Sequence, residues 1–204
     1  MPLKDRRFPL RSTLGRVTLQ PFRSAEVPIV ESWLEDRETC ELAFGVKAPW
    51  NILSSIRTEY IEELQKDTTG VLSVKAVSPV LNSADADIIG FVRYNLFSKE
   101  KRRQARVGII LGPGASRGRG LGREAFGTLI DYLFSVREVT LIELDTAHFN
   151  TRARACFEAC GFQVIKEMEF PSINAQWKER RLVMRLSLQA WHQAQVESQK
   201  TSRG

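Results

Sequence analysis

Gly112-Pro113-Gly114-Ala115-Ser116-Arg117-Gly118-Arg119-Gly120-Leu121-Gly122 separates an apolar run from an amphipathic one. Before it, Arg106 to Leu111 is nearly all apolar, as a central strand should be. After it, Leu121, Ala125, Phe126, Leu129, Ile130, Leu133 and Phe134 fall on one face of a helix. The first turn of a helix leaves about four backbone N–H groups without partners. They point with the positive end of the helix dipole. Glycines let an anion approach that backbone with no Cβ in the way. A pyrophosphate suits such a cradle, and Arg117 and Arg119 add charge beside it. The spacing is not the dinucleotide Gly-x-Gly-x-x-Gly, and no Gly-Lys-Ser or Gly-Lys-Thr of a P-loop is present.

Strands and helices alternate on both sides of this loop. Val17 to Phe22 reads as a first strand, and Ser24 as the N-cap of a helix to about Asp36. A second helix is expected over Ser55–Lys66, with Ile56, Tyr60 and Leu64 four apart. Val71–Val77 and Asp87–Phe97 read as strands around a turn at Asn82–Asp85. Beyond the glycine loop come a strand over Leu141–Thr146 and a helix over Thr151–Ala159, with Gly161 as its left-handed stop. Phe162–Phe170 and Trp177–Leu186 close the chain as strands joined by a turn at Pro171–Asn174. Residues 1–16 read as a basic N-terminal extension, 17–188 as one domain, and 189–204 as a polar tail that frays. Leu186, Leu188 and Trp191 suggest that the start of the tail still packs.

The 204 residues are 43% hydrophobic and 26% charged, the profile of one ordinary globular domain. Such a chain needs no disulfide staples, and three cysteines, an odd count, point the same way. No apolar run approaches the ~18–20 residues needed to span a bilayer. The start of the chain is basic without an apolar stretch, so it is not read as a signal peptide, and a reducing cytoplasm is expected. Net charge is +6, concentrated at Lys4, Arg6, Arg7, Arg11, Arg16 and Arg23 and again from Lys99 to Arg106. Those clusters are either solvated surface or a face for an anionic partner. Cys156 and Cys160 lie four apart with His148 upstream. With two histidines and no Cys-x-x-Cys pair, packing is expected rather than zinc, so no metal is expected.

Arg117-x-x-Gly120-x-Gly122 at the head of a helix resembles the acetyl-CoA pyrophosphate loop of the GNAT N-acetyltransferase superfamily. Asn150 to Phe162, an Asn and a short helix ending in Gly-Phe, resembles that family's second motif. Ile109-Ile110-Leu111-Gly112-Pro113 is similar to the branch that acetylates ribosomal-protein N-termini. The resemblance covers about Val17 to Leu188 and implies a mixed α/β fold. Its sheet is mostly antiparallel and splayed, with helices on both faces. It implies acetyl-CoA as co-substrate, bound by Gly118, Arg119, Gly120, Leu121 and Gly122 together with Arg117. Backbone groups of Ile109, Ile110 and Leu111 would pair with the pantetheine, and Asn150 would be a further contact. The implied acceptor is a primary amine on a peptide or small molecule, a ribosomal protein among the implied partners, with no membrane and an open oligomeric state, monomer or dimer.

An amine must lose a proton to take the acetyl group, and the base must lie within hydrogen-bond reach or one water away. Glu143 and Asp145 alternate along one strand, so they share a face and are the candidate catalytic acids. Asp145 stands five residues before Asn150, where some family members carry a glutamate base. His148 is a further candidate base. The chain departs from the family at the proton donor: the usual Tyr position is Phe157 and the ribosomal branch's Ser position is Ala153. Tyr94 is a distant alternative donor. A thiol near pKa 8.5 leaves without full protonation, so the departures do not forbid transfer. They keep a second reading open, a non-catalytic acetyl-CoA-sensing or ribosome- or RNA-binding module. Trp33 and Trp50 are expected in the core or in the substrate-cleft wall.

Overall fold

Among the described residues, eight strands join in one sheet, ordered β1-β2-β3-β4-β5-β6-β8-β7. They are β1 (Leu10–Arg11), β2 (Val17–Pro21), β3 (Val71–Ala76), β4 (Ile88–Lys99), β5 (Arg102–Leu111), β6 (Leu141–Ala147), β7 (Gln163–Pro171) and β8 (Lys178–Ser187). The helices are α1 (Val27–Trp33), α2 (Arg37–Phe44), α3 (Trp50–Lys66), α4 (Leu121–Ser135), α5 (Thr151–Ala159) and α6 (Leu188–Thr201). This computed structural model describes residues 8–68, 70–77, 88–112, 118–171 and 178–201. The turns expected at Asn82–Asp85 and after Pro171, the basic residues Lys4, Arg6 and Arg7, and Arg117 lie outside them.

Helices cover both faces. On one, Phe22, Val27, Val30, Leu34, Ile61 and Leu64 pack against Val71 and Phe91. On the other, α4 buries Leu121, Ala125, Phe126, Leu129 and Leu133 against the sheet, and Phe157 of α5 joins them. The Phe126 ring lies 5.0 Å from Phe157 and 5.8 Å from Phe162. Gly161, at φ +93, ends α5 in the left-handed conformation that favours glycine. The apolar face read from the sequence is therefore the buried face of α4.

The sheet is antiparallel everywhere except between β5 and β6. Those two strands pair only at Gln104↔Leu141, Ala105↔Ile142 and Arg106↔Glu143. Beyond Arg106 they part, while β4 stays paired with β5 as far as Gly90↔Leu111. The expected splayed, mostly antiparallel sheet is the one observed.

The local structure differs from expectation at several places. Ser24 opens a 3-10 turn, Ser24–Glu26, instead of capping a long helix. Asp36, expected near a helix end, instead starts α2: its carboxylate accepts from the Thr39 backbone N–H (2.8 Å). Gly45, at φ +68, terminates that helix. α3 begins at Trp50, five residues early, because Pro49 C=O accepts from Ile52 and Leu53 (3.0 and 3.1 Å). The polar C-terminal stretch continues as α6. Its Trp191 ring lies 5.3 Å from Phe134, and its Nε1 donates to Asp131 (3.1 Å). At the other end, β1 adds an edge strand ahead of Val17.

Candidate active site

The N-terminus of α4 is built as the sequence suggests. Gly118 and Gly120 both sit in the left-handed region, at φ +77 and +76, where a side chain would be strained. Gly120 is the N-cap and offers no side chain to the first-turn amides. A clamp holds this turn in place. Glu124 takes hydrogen bonds from the Ser12 hydroxyl, the Arg16 backbone N–H and Arg16 Nε, the last at 2.7 Å. Arg16 Nη1 also donates to the Arg119 carbonyl (3.3 Å). Burial pushes the Glu124 carboxyl up, but the bonds from Ser12 and Arg16 outweigh it and hold the pKa below the usual range. Arg16 thus serves the loop, while Arg23 pairs with Glu26 (3.2 Å).

Leu121 and Gly122 continue from this turn to the top of β5. A Cβ on Gly122 would stand 2.8 Å from Leu111 Cδ1, so the absent side chain lets helix and strand meet. Gly112 N–H donates to Ile89 C=O (3.0 Å), and Thr140 N–H donates to Arg103 C=O (2.9 Å). Because an antiparallel ladder alternates, Ile109 and Leu111 turn their N–H and C=O toward the opened β6 side. Ile110 turns its backbone toward β4 instead. Ile110 thus pairs through its backbone with β4 while lining the slot described next.

A slot of about 130 Å³ runs from Gly122 along Ile109, Ile110 and Leu111 to Asn150, Ala153, Cys156 and Phe157. The Asn150 Oδ1 accepts from the Ala153 backbone N–H (3.1 Å), capping α5, and its Nδ2 donates to Leu42 C=O (3.5 Å). A wider chamber, about 330 Å³, opens where β5 and β6 part. It shares Leu42, Ala43, Ile109, Ile110, Asn150, Ala153 and Phe157 with the slot. Its polar wall includes Tyr60, Arg93, Asn95, Arg106, Asp145 and Arg181.

Of the two candidate acids, Asp145 lines the chamber and Glu143 does not. Asp145 Oδ2 accepts from Arg181 Nε at 2.5 Å, and Arg181 Nη1 donates onward to Phe44 C=O (3.0 Å). Glu143 lies between Arg106 (3.1 Å) and Arg185 (2.8 Å). Burial pushes its carboxyl up, but hydrogen bonds from Arg185 and Arg106 outweigh that and leave it below the usual range. His148 is exposed and lines neither cavity. Tyr94 is buried on the α4 face, its ring 6.1 Å from Tyr132, and is corrected as a donor. Trp50 is 39% exposed rather than core. Trp33 packs on Gly112, where a Cβ would lie 2.7 Å from the indole.

The residues fit the pyrophosphate and pantetheine of coenzyme A: an uncapped glycine-led helix start, a narrow apolar slot, and strand-edge groups at Ile109. The Acetyltransferase (GNAT) domain family matches residues 16–163. The chain belongs to the GNAT acetyltransferases. An N-acetyltransferase 9-like protein of Nematostella vectensis is 23% identical over 76% of this chain and 78% of its own. Aminoglycoside N(6')-acetyltransferase type 1 of Klebsiella pneumoniae is 25% identical over 72% of this chain and 74% of its own. The fold is also that of spermidine N-acetyltransferase from Vibrio cholerae, solved with CoA and spermine. That likeness has a TM-score of 0.60 at 19% identity and covers 86% of this chain and 98% of the other. This GNAT chain is an acetyl-CoA-dependent N-acetyltransferase.

Sequence reasoning missed the chamber's far wall. Tyr60 appeared only as a helix-face residue; burial pushes its phenol up to about 12, against the opposing charge of Arg93, so it keeps its proton at neutral pH. Arg93 and Arg181 were not singled out. The signal for α2, whose Leu42 and Ala43 roof the junction, was Asp36 three residues before Thr39 and Gly45 behind.

Proposed function

We propose that this acetyltransferase moves the acetyl group of acetyl-CoA to a primary amine, on a protein N-terminus or a small molecule, by direct attack in a ternary complex. The observation that carries the reading is the shared wall of slot and chamber at Ile109, Ile110, Asn150 and Phe157. A thioester laid along the slot ends where a second substrate enters. The amine lone pair attacks the thioester carbonyl, the C–S bond breaks, and the thiolate leaves with its electrons. The amine's proton passes to Asp145, directly or through one water. Arg181 orients that carboxylate. Glu143, which does not line the chamber and is held by Arg106 and Arg185, is the lesser candidate. Ile109 N–H, turned to the opening, polarises the carbonyl. Phe157 and Ala153 bring no proton to the junction, and a thiol near pKa 8.5 leaves without one. An α-amine near pKa 7.7–8 asks less of Asp145 than a lysine-type amine near 10.4. A protein N-terminus, ribosomal proteins included, is accordingly one acceptor class.

No helix among the described residues is long and apolar enough to cross a membrane. Cys40, Cys156 and Cys160 are free thiols, which accords with a reducing cytoplasm as its place of action. The test is a thermal melt with acetyl-CoA, followed by thiol release against a panel of amines. A melting rise and thiol release dependent on amine are expected. No shift at millimolar acetyl-CoA in folded protein overturns the reading. Binding that falls steeply with salt, without transfer, would instead favour a nucleic-acid module.

A further inference from the structure

The charges around the chamber are uneven. On the face covered by α1–α3, Phe91 opposes Ile110, Arg93 opposes Gly108, and Asn95 opposes Arg106. Cross-strand partners share a face, so both guanidinium groups stand on the chamber floor on either side of Gly108. A Cβ on Gly108 would meet nothing within 4 Å, so the glycine leaves open space between the arginines. Arg181 completes the wall from β8. Against these three arginines the lining holds, among the described residues, one carboxylate, Asp145, which is already bonded to Arg181.

The next shell offsets the floor only in part. Glu143 is divided between Arg106 and Arg185. Glu63 is 68% exposed and lies 3.7 Å from Arg93, too far for a hydrogen bond. Asn95 and the protonated Tyr60 supply hydrogen-bond capacity but no negative charge. A polycation entering here would face three guanidiniums, of which Arg106 and Arg181 are already paired with Glu143 and Asp145, and like charges would still repel it. A carboxylate would find the planar fork of Arg93, suited to bidentate binding, with Arg106 across an open floor.

Building on the acetyl-transfer reading, we propose that the acceptor is an amine carrying a carboxylate, selected by Arg93 with Arg106. Two sources share that chemistry: a free amino acid and a peptide beginning with an acidic residue. The acceptor's amine lies toward Asp145 and Ile109, and its carboxylate lies on the floor. The aminoglycoside and spermidine acetyltransferases act on polycations by their names; this chamber has the opposite charge preference.

The test compares kcat/KM for thiol release at saturating acetyl-CoA. The acceptors are free glutamate, glycine, spermidine, and three C-terminally amidated peptides differing only in an initial Glu, Gln or Lys. A carboxylate-bearing acceptor should exceed its neutral counterpart by about ten- to a hundredfold, the worth of a hydrogen bond to a charged group. The glutamate and Glu-peptide arms separate the two sources. Arg93→Gln should erase the Glu/Gln ratio through KM while the acetyl-CoA melting shift persists, and Arg93→Lys should restore part of it. If Arg93→Gln does not fold, Arg106→Gln and a melt of wild-type protein with CoA plus glutamate or spermidine provide the same comparison. Equal rates for Glu and Gln peptides, or preference for Lys peptide or spermidine, overturn this proposal while acetyl transfer stands. No carboxylate amine turned over or stabilising the CoA complex also overturns it. Loss of the acetyl-CoA shift itself would remove the underlying reading instead.

Discussion

The slot proposed for the cofactor and the chamber proposed for the acceptor meet on the same residues yet are built in opposite ways. The slot is apolar and narrow, and two contiguous segments, Ile109–Gly122 and Asn150–Phe157, supply most of its wall. The chamber is more than twice as large, and its wall is gathered from α2, α3, β4, β5, β6 and β8. A site made of short motifs serves a ligand with a fixed shape, such as coenzyme A. A site assembled from distant side chains can change its acceptor one residue at a time. The same fold therefore accompanies polyamine and aminoglycoside acetyltransferases by name, while this chain surrounds its chamber with arginine.

The sharpest break between the two halves is Gly122→Glu. Its Cβ would stand 2.8 Å from Leu111 Cδ1, and its carboxylate would enter the proposed pyrophosphate cradle. Acetyl-CoA affinity should fall by at least about a hundredfold by calorimetry, the scale of losing charged hydrogen bonds. Circular dichroism should remain that of folded protein. Unchanged affinity would put the phosphates elsewhere.

Asp145→Asn acts on the other half. It should lower kcat by about a hundredfold, the lower range for a general base, while acetyl-CoA affinity stays within about twofold. A rate unchanged across the pH range would remove Asp145 as the base. Gly108→Val fills the open chamber floor; acceptor KM should rise about tenfold with acetyl-CoA affinity intact, since pocket methyl groups discriminate on that scale. A loss confined to acetyl-CoA affinity would mean that slot and chamber have been exchanged.

Smaller effects test the supports. Glu124 is only 6% exposed in its side chain, so Arg16→Ala leaves a largely buried carboxylate without its cation. Stability should fall by about 2–3 kcal/mol in urea unfolding. Glu143 has a folded pKa below its unfolded value. Its contribution to stability is therefore complete above the ordinary carboxylate range and lost as pH falls through the folded pKa. Glu143→Gln should flatten the fall of melting temperature in acid, with little change near neutrality beyond the lost pair. A slope identical to wild type would show that the two arginines do not favour the charged carboxylate.

The cradle was legible because its determinants are local. Left-handed positions at Gly118 and Gly120 and the apolar face after Leu121 are properties of a few consecutive residues. The same holds for the stop at Gly161. α2 was missed although its caps were present, since a helix expected to run to Asp36 absorbed the residue that in fact begins the next one. The pairing of Asp145 with Arg181 joins positions 36 residues apart and had no signal in either neighbourhood. Tyr94 and Tyr60 were indistinguishable as phenols until the register placed one under α4 and the other beside Arg93.

The chain's own order of residues determined the fold family, the helix that begins at the glycine loop, and the strand that leads into it. Propensity, periodicity and left-handed turns act over a few residues, and such information survives without coordinates. Only the tertiary structure decided that β5 and β6 separate after Arg106, which cavity Asp145 lines, and which arginines surround that cavity. Those facts depend on strand register and on contacts between distant segments, where a shift of one residue reverses the face to which every side chain points.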